Sequence, residues 1–180
     1  MIPKMIFVFF AFLMVAPAQA QTLTWKEQIQ LEGKFRINAP GELVEKVSKM
    51  KTAMGETAYH AFVFKPTEPK PDNVFYVVNY LDYPQGTFHP DSTELRTEFF
   101  NVTIENSVIG VNGKLLYESD VQLGVHKGKI WRVSYNQANV FIKSKCFLVG
   151  NRFYMIQTMT MRDKSMNASA DLFLDSFQVL

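Results

Sequence analysis

Few residues in this chain could do chemistry: three histidines, one cysteine and a handful of carboxylate and lysine groups. His60, His89 and His126 stand far apart, with no pair at the i, i+3 or i, i+4 spacing of a helix face or the i, i+2 spacing of a strand. Metal sites usually recruit at least one such local pair, so the spacing predicts no metal centre. His60 alternates with Ala58, Phe62 and Phe64 and reads as a hydrogen-bonded histidine at the edge of a core. His89 precedes Pro90 and reads as a loop residue. His126, inside Gly124-Val125-His126-Lys127-Gly128, is expected in a tight, solvent-facing turn. Cys146 shares a strand face with Ile142, Ser144 and Leu148. A thiol there packs as a small apolar group, whereas a nucleophilic thiol needs a nearby base and an electropositive pocket. Glu118 and Asp120 pair at strand spacing and read as solvated carboxylates.

The nucleophile and nucleotide motifs are absent: there is no G-x-S-x-G, S-x-x-K, H-E-x-x-H, G-x-G-x-x-G or Walker loop. No catalytic residue and no cofactor is therefore predicted. Two basic groups remain. Lys46, Lys49 and Lys51 fall on one early strand, and Lys143 and Lys145 share a face of a later one. Lysines so placed are expected to mark exposed or edge strands guarded against aggregation. The alternative is a surface for an acidic partner or lipid headgroups. Asn101-Val102-Thr103 and Asn167-Ala168-Ser169 match the glycosylation sequon, but both fall in segments expected to be helical and read as chance matches.

The elements that must position these groups begin after an address. Lys4, the apolar run Met5 to Ala16, the break at Pro17 and Ala18-Gln19-Ala20 form the pattern of a secretory signal peptide, residues 1–20, cut between Ala20 and Gln21. The run is too short to span a bilayer, which takes about 20 apolar residues. The mature chain is read as one domain, residues 21–180, placed in the periplasm or secreted. Removing residues 1–20 leaves 160 residues, and loss of Lys4 leaves 18 basic against 17 acidic side chains. That balance, with export, argues against nucleic acid. A single cysteine excludes a disulfide framework, so stability must come from burial.

The mature pattern is strand-rich with two helices. Strands are expected at Lys34–Ile37, Leu43–Lys51, Glu56–Phe64, Val74–Tyr83, Lys114–Leu123, Lys129–Tyr135, Val140–Val149 and Arg152–Met161. Val74–Tyr83 is apolar on both faces, which predicts a sheet covered on both sides. A helix follows from Asp91 or Ser92, with Glu94 at capping-box spacing from Asp91. One face carries Leu95, Phe99, Val102 and Asn106; Phe100, Ile104 and Val108 lie beside it. A second helix is expected from Ser165, with Leu172, Phe173 and Phe177 inward. Strands, helix, strands, helix is the order of an α+β fold with an antiparallel sheet.

Several short motifs carry a resemblance. They are Phe35-x-Ile37-x-Ala39-Pro40-Gly41, Tyr80-x-Asp82-Tyr83-Pro84, Val111-Asn112-Gly113-Lys114-Leu115-Leu116, Leu148-Val149-Gly150-Asn151-Arg152-Phe153-Tyr154 and Phe173-Leu174-Asp175-Ser176-Phe177. With the order of elements, they make residues 35–177 resemble small exported bacterial domains of PsbP-like type. The resemblance implies an α-β-α sandwich, a twisted antiparallel sheet with helices on both faces. It implies no single activity. PsbP itself is an extrinsic, non-enzymatic subunit on the lumenal side of photosystem II, and a fold does not by itself confer a function.

These readings lead to an exported, non-enzymatic domain that binds or stabilises a partner in the cell envelope. The alternative is a carrier for a small apolar ligand held between sheet and helix. The candidate partner contacts are Tyr83, Phe88 and His89, in the loop Asp82–Asp91.

Overall fold

The structure is a computed structural model that describes residues 24–52, 55–89 and 91–180. The expected signal peptide and its cleavage point lie outside the described residues. Ten strands and two helices are described: β1 (Lys26–Gln30), β2 (Phe35–Ala39), β3 (Val44–Thr52), β4 (Gly55–Phe64), β5 (Phe75–Asp82), α1 (Thr93–Gly110), β6 (Lys114–Leu123), β7 (His126–Tyr135), β8 (Val140–Val149), β9 (Arg152–Met161), α2 (Ala168–Asp175) and β10 (Gln178–Val179). A single 3₁₀ turn, Arg162–Lys164, leads into α2.

Seven strands form one sheet in the order β3-β4-β5-β9-β8-β7-β6, and every neighbouring pair is antiparallel. A smaller sheet runs β1-β2-β10, also antiparallel. The hairpins follow from their turn residues. Gly150 sits at φ 59° between β8 and β9, and Asn136, Gln137 and Ala138 all take positive φ between β7 and β8. His126 is the first residue of β7 and partly buried, so the tight turn is Gly124-Val125 and does not include it.

The two faces of the large sheet are covered by different things. Phe35, Ile37 and Ala39 of β2, with Phe173, Leu174 and Phe177 at the C-terminus, pack on Phe62, Tyr76, Val78, Tyr80, Phe147, Tyr154 and Ile156. This face is therefore roofed by a three-stranded sheet together with α2, and not by a helical layer alone. The α-β-α description holds only in part: the molecule is mostly antiparallel β in two sheets, with two helices. β1 (KEQIQ) and the two-residue β10 carry no apolar alternation, so nothing in their sequence announces that small sheet.

The opposite face carries α1 over Leu81, Phe88, Trp131, Val133, Cys146, Leu148 and Phe153. Its buried residues are Phe100 and Ile104, while Leu95 and Val102 are exposed, so the inward stripe is the second of the two expected sets. Ser92 stands at the cap position with no side-chain cap, and the Asp91–Glu94 capping box does not form. In α2 the helix starts at Ala168, three residues later than expected. The Asn167 side chain caps it by accepting from the Ala170 backbone N–H at 2.7 Å. Leu172, expected inward, is 46% exposed, and Leu174 is the buried leucine.

The lysines on β8 need a different explanation from an edge. β8 is an interior strand, flanked by β7 and β9. Lys143 pairs with Asp171, and Lys145 pairs with Asp175 at 2.5 Å. The two aspartates stand at i, i+4 on α2 and therefore line the same helix face as it crosses the strand. The lysine stems are covered and their heads are neutralised, which is how a charged pair of residues sits inside a sheet. β3, which carries Lys46, Lys49 and Lys51, is an edge strand as expected.

Candidate functional site

The chain leaves β5 at the middle of the sheet and re-enters at β6, the far edge. Its crossover must pass above β9, β8 and β7, and α1 lies on β7 accordingly. One helix cannot also cover β4 and β5. The alternation along the strands records this. On β9, Tyr154, Ile156, Thr158 and Thr160 face the small sheet and α2 and are buried, whereas Met155, Gln157 and Met159 face the other way and are only half-buried. On β5, Tyr76, Val78 and Tyr80 are buried, but Phe75 and Val77 are only partly buried. A strand apolar on both faces is thus not fully covered on both.

The uncovered area has a definite composition. Val63 stands opposite Val77, and Phe75 stands opposite Met159, which stands opposite Ile142. With Ala61 they form a partly buried apolar surface across β4, β5, β9 and β8 that belongs to neither core cluster. The Tyr135 hydroxyl reaches the Met159 sulfur at 3.6 Å, and the Lys65 ammonium lies 5.8 Å from the Phe75 ring centre, marking two sides of the patch. A short polar row crosses it: Asn79 Nδ2 donates to Gln157 Oε1 at 3.4 Å, and Gln157 Nε2 donates to Ser144 Oγ at 2.9 Å. Asn79 is 4% exposed, and its Oδ1 meets no donor among the described residues.

The residues singled out in the sequence lie elsewhere. Tyr83 and Phe88 come together edge to face at 5.2 Å, and both pack edge-on against Phe99 of α1. Phe88 is 7% exposed, and its backbone N–H donates to Asn151 Oδ1 at 3.0 Å, so it is part of the α1 core. Tyr83 is half-buried, with burial pushing its phenol pKa up, and it borders a hollow of about 250 Å3 with Thr57, Glu56 and Asp82. His89 alone of the three is fully outward, its Nδ1 3.4 Å from an Asp91 carboxylate oxygen. This loop sits at the Gly150-Asn151 end of the strands, away from the patch at Phe75 and Met159.

The remaining titratable groups are dispersed. The His60 Nδ1–H donates to Glu45 Oε1 at 2.8 Å, and the ring stacks on Tyr80, ring centres 4.3 Å apart. His126 lies four strands away, roughly 19 Å at the usual strand spacing. Burial pushes the Cys146 thiol up to about 12. Glu118 and Asp120 hold Lys129 across the β6–β7 ladder, at 3.6 and 3.0 Å, and hydrogen bonding to Asp120 raises the lysine pKa. Among the described residues no three His, Cys, Asp or Glu side chains gather as a metal site would need. Nor is any described helix long and apolar enough to cross a membrane.

Comparison with solved structures places this arrangement. Cyanobacterial PsbP from Synechocystis sp. PCC 6803 superposes with a TM-score of 0.57 at 11% identity, over 93% of this chain and 99% of that one. The chain has a PsbP-like fold. A protein of unknown function from Pseudomonas aeruginosa, described as a putative regulator, matches at 8% identity over 66% of this chain and 85% of its own, with a TM-score of 0.44. No protein-family model and no curated protein sequence matches the chain. A PsbP-like fold at this identity gives the architecture, and the role must be argued from the surface.

Proposed function

We propose that this chain is an exported, non-enzymatic domain that binds a partner protein in the cell envelope through the half-covered face of its large sheet. The observation that carries the reading is the apolar surface of Ala61, Val63, Phe75, Val77, Ile142 and Met159, contiguous over four strands and outside both cores. Contiguous, partly exposed apolar area rimmed by polar groups is suited to a binding face. Export rests on the signal pattern of residues 1–20. The non-enzymatic reading rests on titratable groups that are spoken for or scattered, and the loop 82–91 contributes at most Tyr83 and His89 as further contacts.

The carrier alternative has a groove to consider. About 600 Å3 lies between the start of α1 and the β6–β7 hairpin, against Phe100. Arg96, Asp120, Lys127 and Lys129 line it, so it does not offer the dry walls a purely apolar ligand needs.

Site-specific photocrosslinking in the native host tests the proposal. A benzophenone side chain at Phe75 or Met159 should give a discrete crosslinked product, and one at exposed Gln122 should not. Val77→Asp should abolish the product while the protein stays folded. Absence of product at both patch positions, or an equal product at Gln122, would reject the face as the binding surface.

A further inference from the structure

We infer that the hollow between α2 and strands β7 to β9 is a binding site for a small oxyanion, a carboxylate or phosphate group held by Arg132 and Thr158. The site lies on the face opposite the apolar patch and does not depend on it. Register places Tyr76, Thr158, Lys143, Arg132 and Tyr117 in one row across β5, β9, β8, β7 and β6. At the β9 end the row is sealed under α2. Further along it opens into a hollow of about 220 Å3, bordered by Thr158, Lys143, Arg132, Tyr117, Ser165 and Asn167. That is room for about seven waters at the liquid's ~30 Å3 each, enough for a small anion and part of its shell.

Two features there lack a usual partner among the described residues. Thr158 is 1% exposed, yet its hydroxyl has no hydrogen-bond partner among the described residues. A buried, unpaired hydroxyl destabilises the fold unless something meets it. Arg132 is half-buried, and no carboxylate among the described residues pairs with it. Its Nη2 donates to the Ser165 carbonyl, and the guanidinium lies over Phe141 at 4.6 Å, which fixes its plane. The only other cation at the hollow among the described residues, Lys143, is closed off by Asp171. The hollow is therefore lined by one neutral ion pair and one uncompensated planar cation, with a hydroxyl free to donate. A guanidinium presents its donors as a fork that matches a carboxylate or phosphate in two places at once. An apolar ligand would leave both the fork and the hydroxyl unmet, and a cation would meet the wrong charge. Tyr117 and Met166, 40% and 89% exposed, stand at the mouth.

Titration of the ¹⁵N-labelled protein at constant ionic strength tests the site, with inorganic phosphate and acetate as free anions and hexanoate as an amphiphile headgroup. Saturable amide shifts centred on Arg132, Thr158 and Ser165 are expected. Hexanoate binding tighter than acetate would point to an amphiphile as the source, and equal binding to a free anion; both support the site. Arg132→Gln should weaken binding about tenfold or more, since a hydrogen-bonded charge is lost. Arg132→Lys should fall between. Thr158→Val is the discriminating variant: it removes the unpaired hydroxyl without changing shape, so it should leave or raise the melting temperature while weakening binding severalfold. Absence of saturable shifts up to about 50 mM, far weaker than the millimolar affinity of ~4 kcal/mol ligands, would overturn the inference. So would wild-type affinity in Thr158→Val, even if Arg132→Gln fails to fold.

Discussion

Phe88→Ala is expected to cost stability as a core substitution does, although Phe88 lies in a loop between a strand and a helix. The side chain is 7% exposed, edge-on to Tyr83 at 5.2 Å and to Phe99 at 5.0 Å. Truncating a buried phenylalanine costs about 3–5 kcal/mol, made up of lost transfer energy and the cavity left behind. A loop can relax into the space more readily than a strand, which favours the lower end, about 3 kcal/mol. For a domain of this size each kcal/mol lowers the melting temperature by about 2–4 °C, so the expected fall is about 6–12 °C by calorimetry. A Phe88→Ala, Phe99→Ala cycle should show a coupling of about 1 kcal/mol, because the two rings form one edge-to-face pair. His89→Ala, one residue on and outward-facing, should leave the melting temperature unchanged within about 1 °C. A fall of less than about 3 °C for Phe88→Ala would show that the loop does not belong to the α1 core in solution. The reasoning that assigns Phe88 to packing would then fail.

Three other outcomes follow from the structure. Cys146 should resist thiol reagents in the native state at pH 8 and react fully on unfolding, because its thiol is buried and its pKa is pushed up to about 12. The raised thiol, with the raised phenols of Tyr59, Tyr76, Tyr83 and Tyr154, keeps protons in the folded state that the unfolded chain releases. Stability from these groups is present in full below about pH 9 and should be lost as pH rises toward 12; urea midpoints that stay level across that window would refute it. Gly128→Ala should cost about 3 kcal/mol or more, because a Cβ there would lie 2.0 Å from the Cys146 carbonyl oxygen and 2.6 Å from the Phe147 ring. A melting temperature unchanged by that substitution would mean the β7–β8 ladder is looser than its geometry.

Much of the secondary structure was legible in the sequence because alternation and turn residues act locally. β6, β8 and β9 begin and end where their patterns do, and Gly150 and Asn136, residues that tolerate positive φ, sit in the turns between apolar runs. The candidate site was not legible for a reason of counting. Phe75 and Val77 announce an apolar face on β5, but whether that face is roofed depends on how many elements are left to cross it. The strand order, known only from the fold, leaves a single helix for seven strands. Lys143 and Lys145 misled in the opposite direction. Two lysines on a strand look like an edge until α2 is seen to bring Asp171 and Asp175 over them.

By itself the sequence determined the α+β order of strands and helices, the structural nature of Cys146 and the lack of any motif for nucleophilic or nucleotide chemistry. These depend on side-chain type and short spacing, which the chain carries in one dimension. Only the tertiary structure decided which apolar faces are covered, which charges are neutralised and which polar groups are stranded. Phe88 became core because α1 closes on it, Phe75 stayed partly exposed because α1 does not reach it, and among the described residues Thr158 was left without a hydrogen-bond partner beside an arginine that no carboxylate pairs. Each outcome is set by what a residue meets from a distant part of the chain, and burial and charge pairing are properties of that meeting.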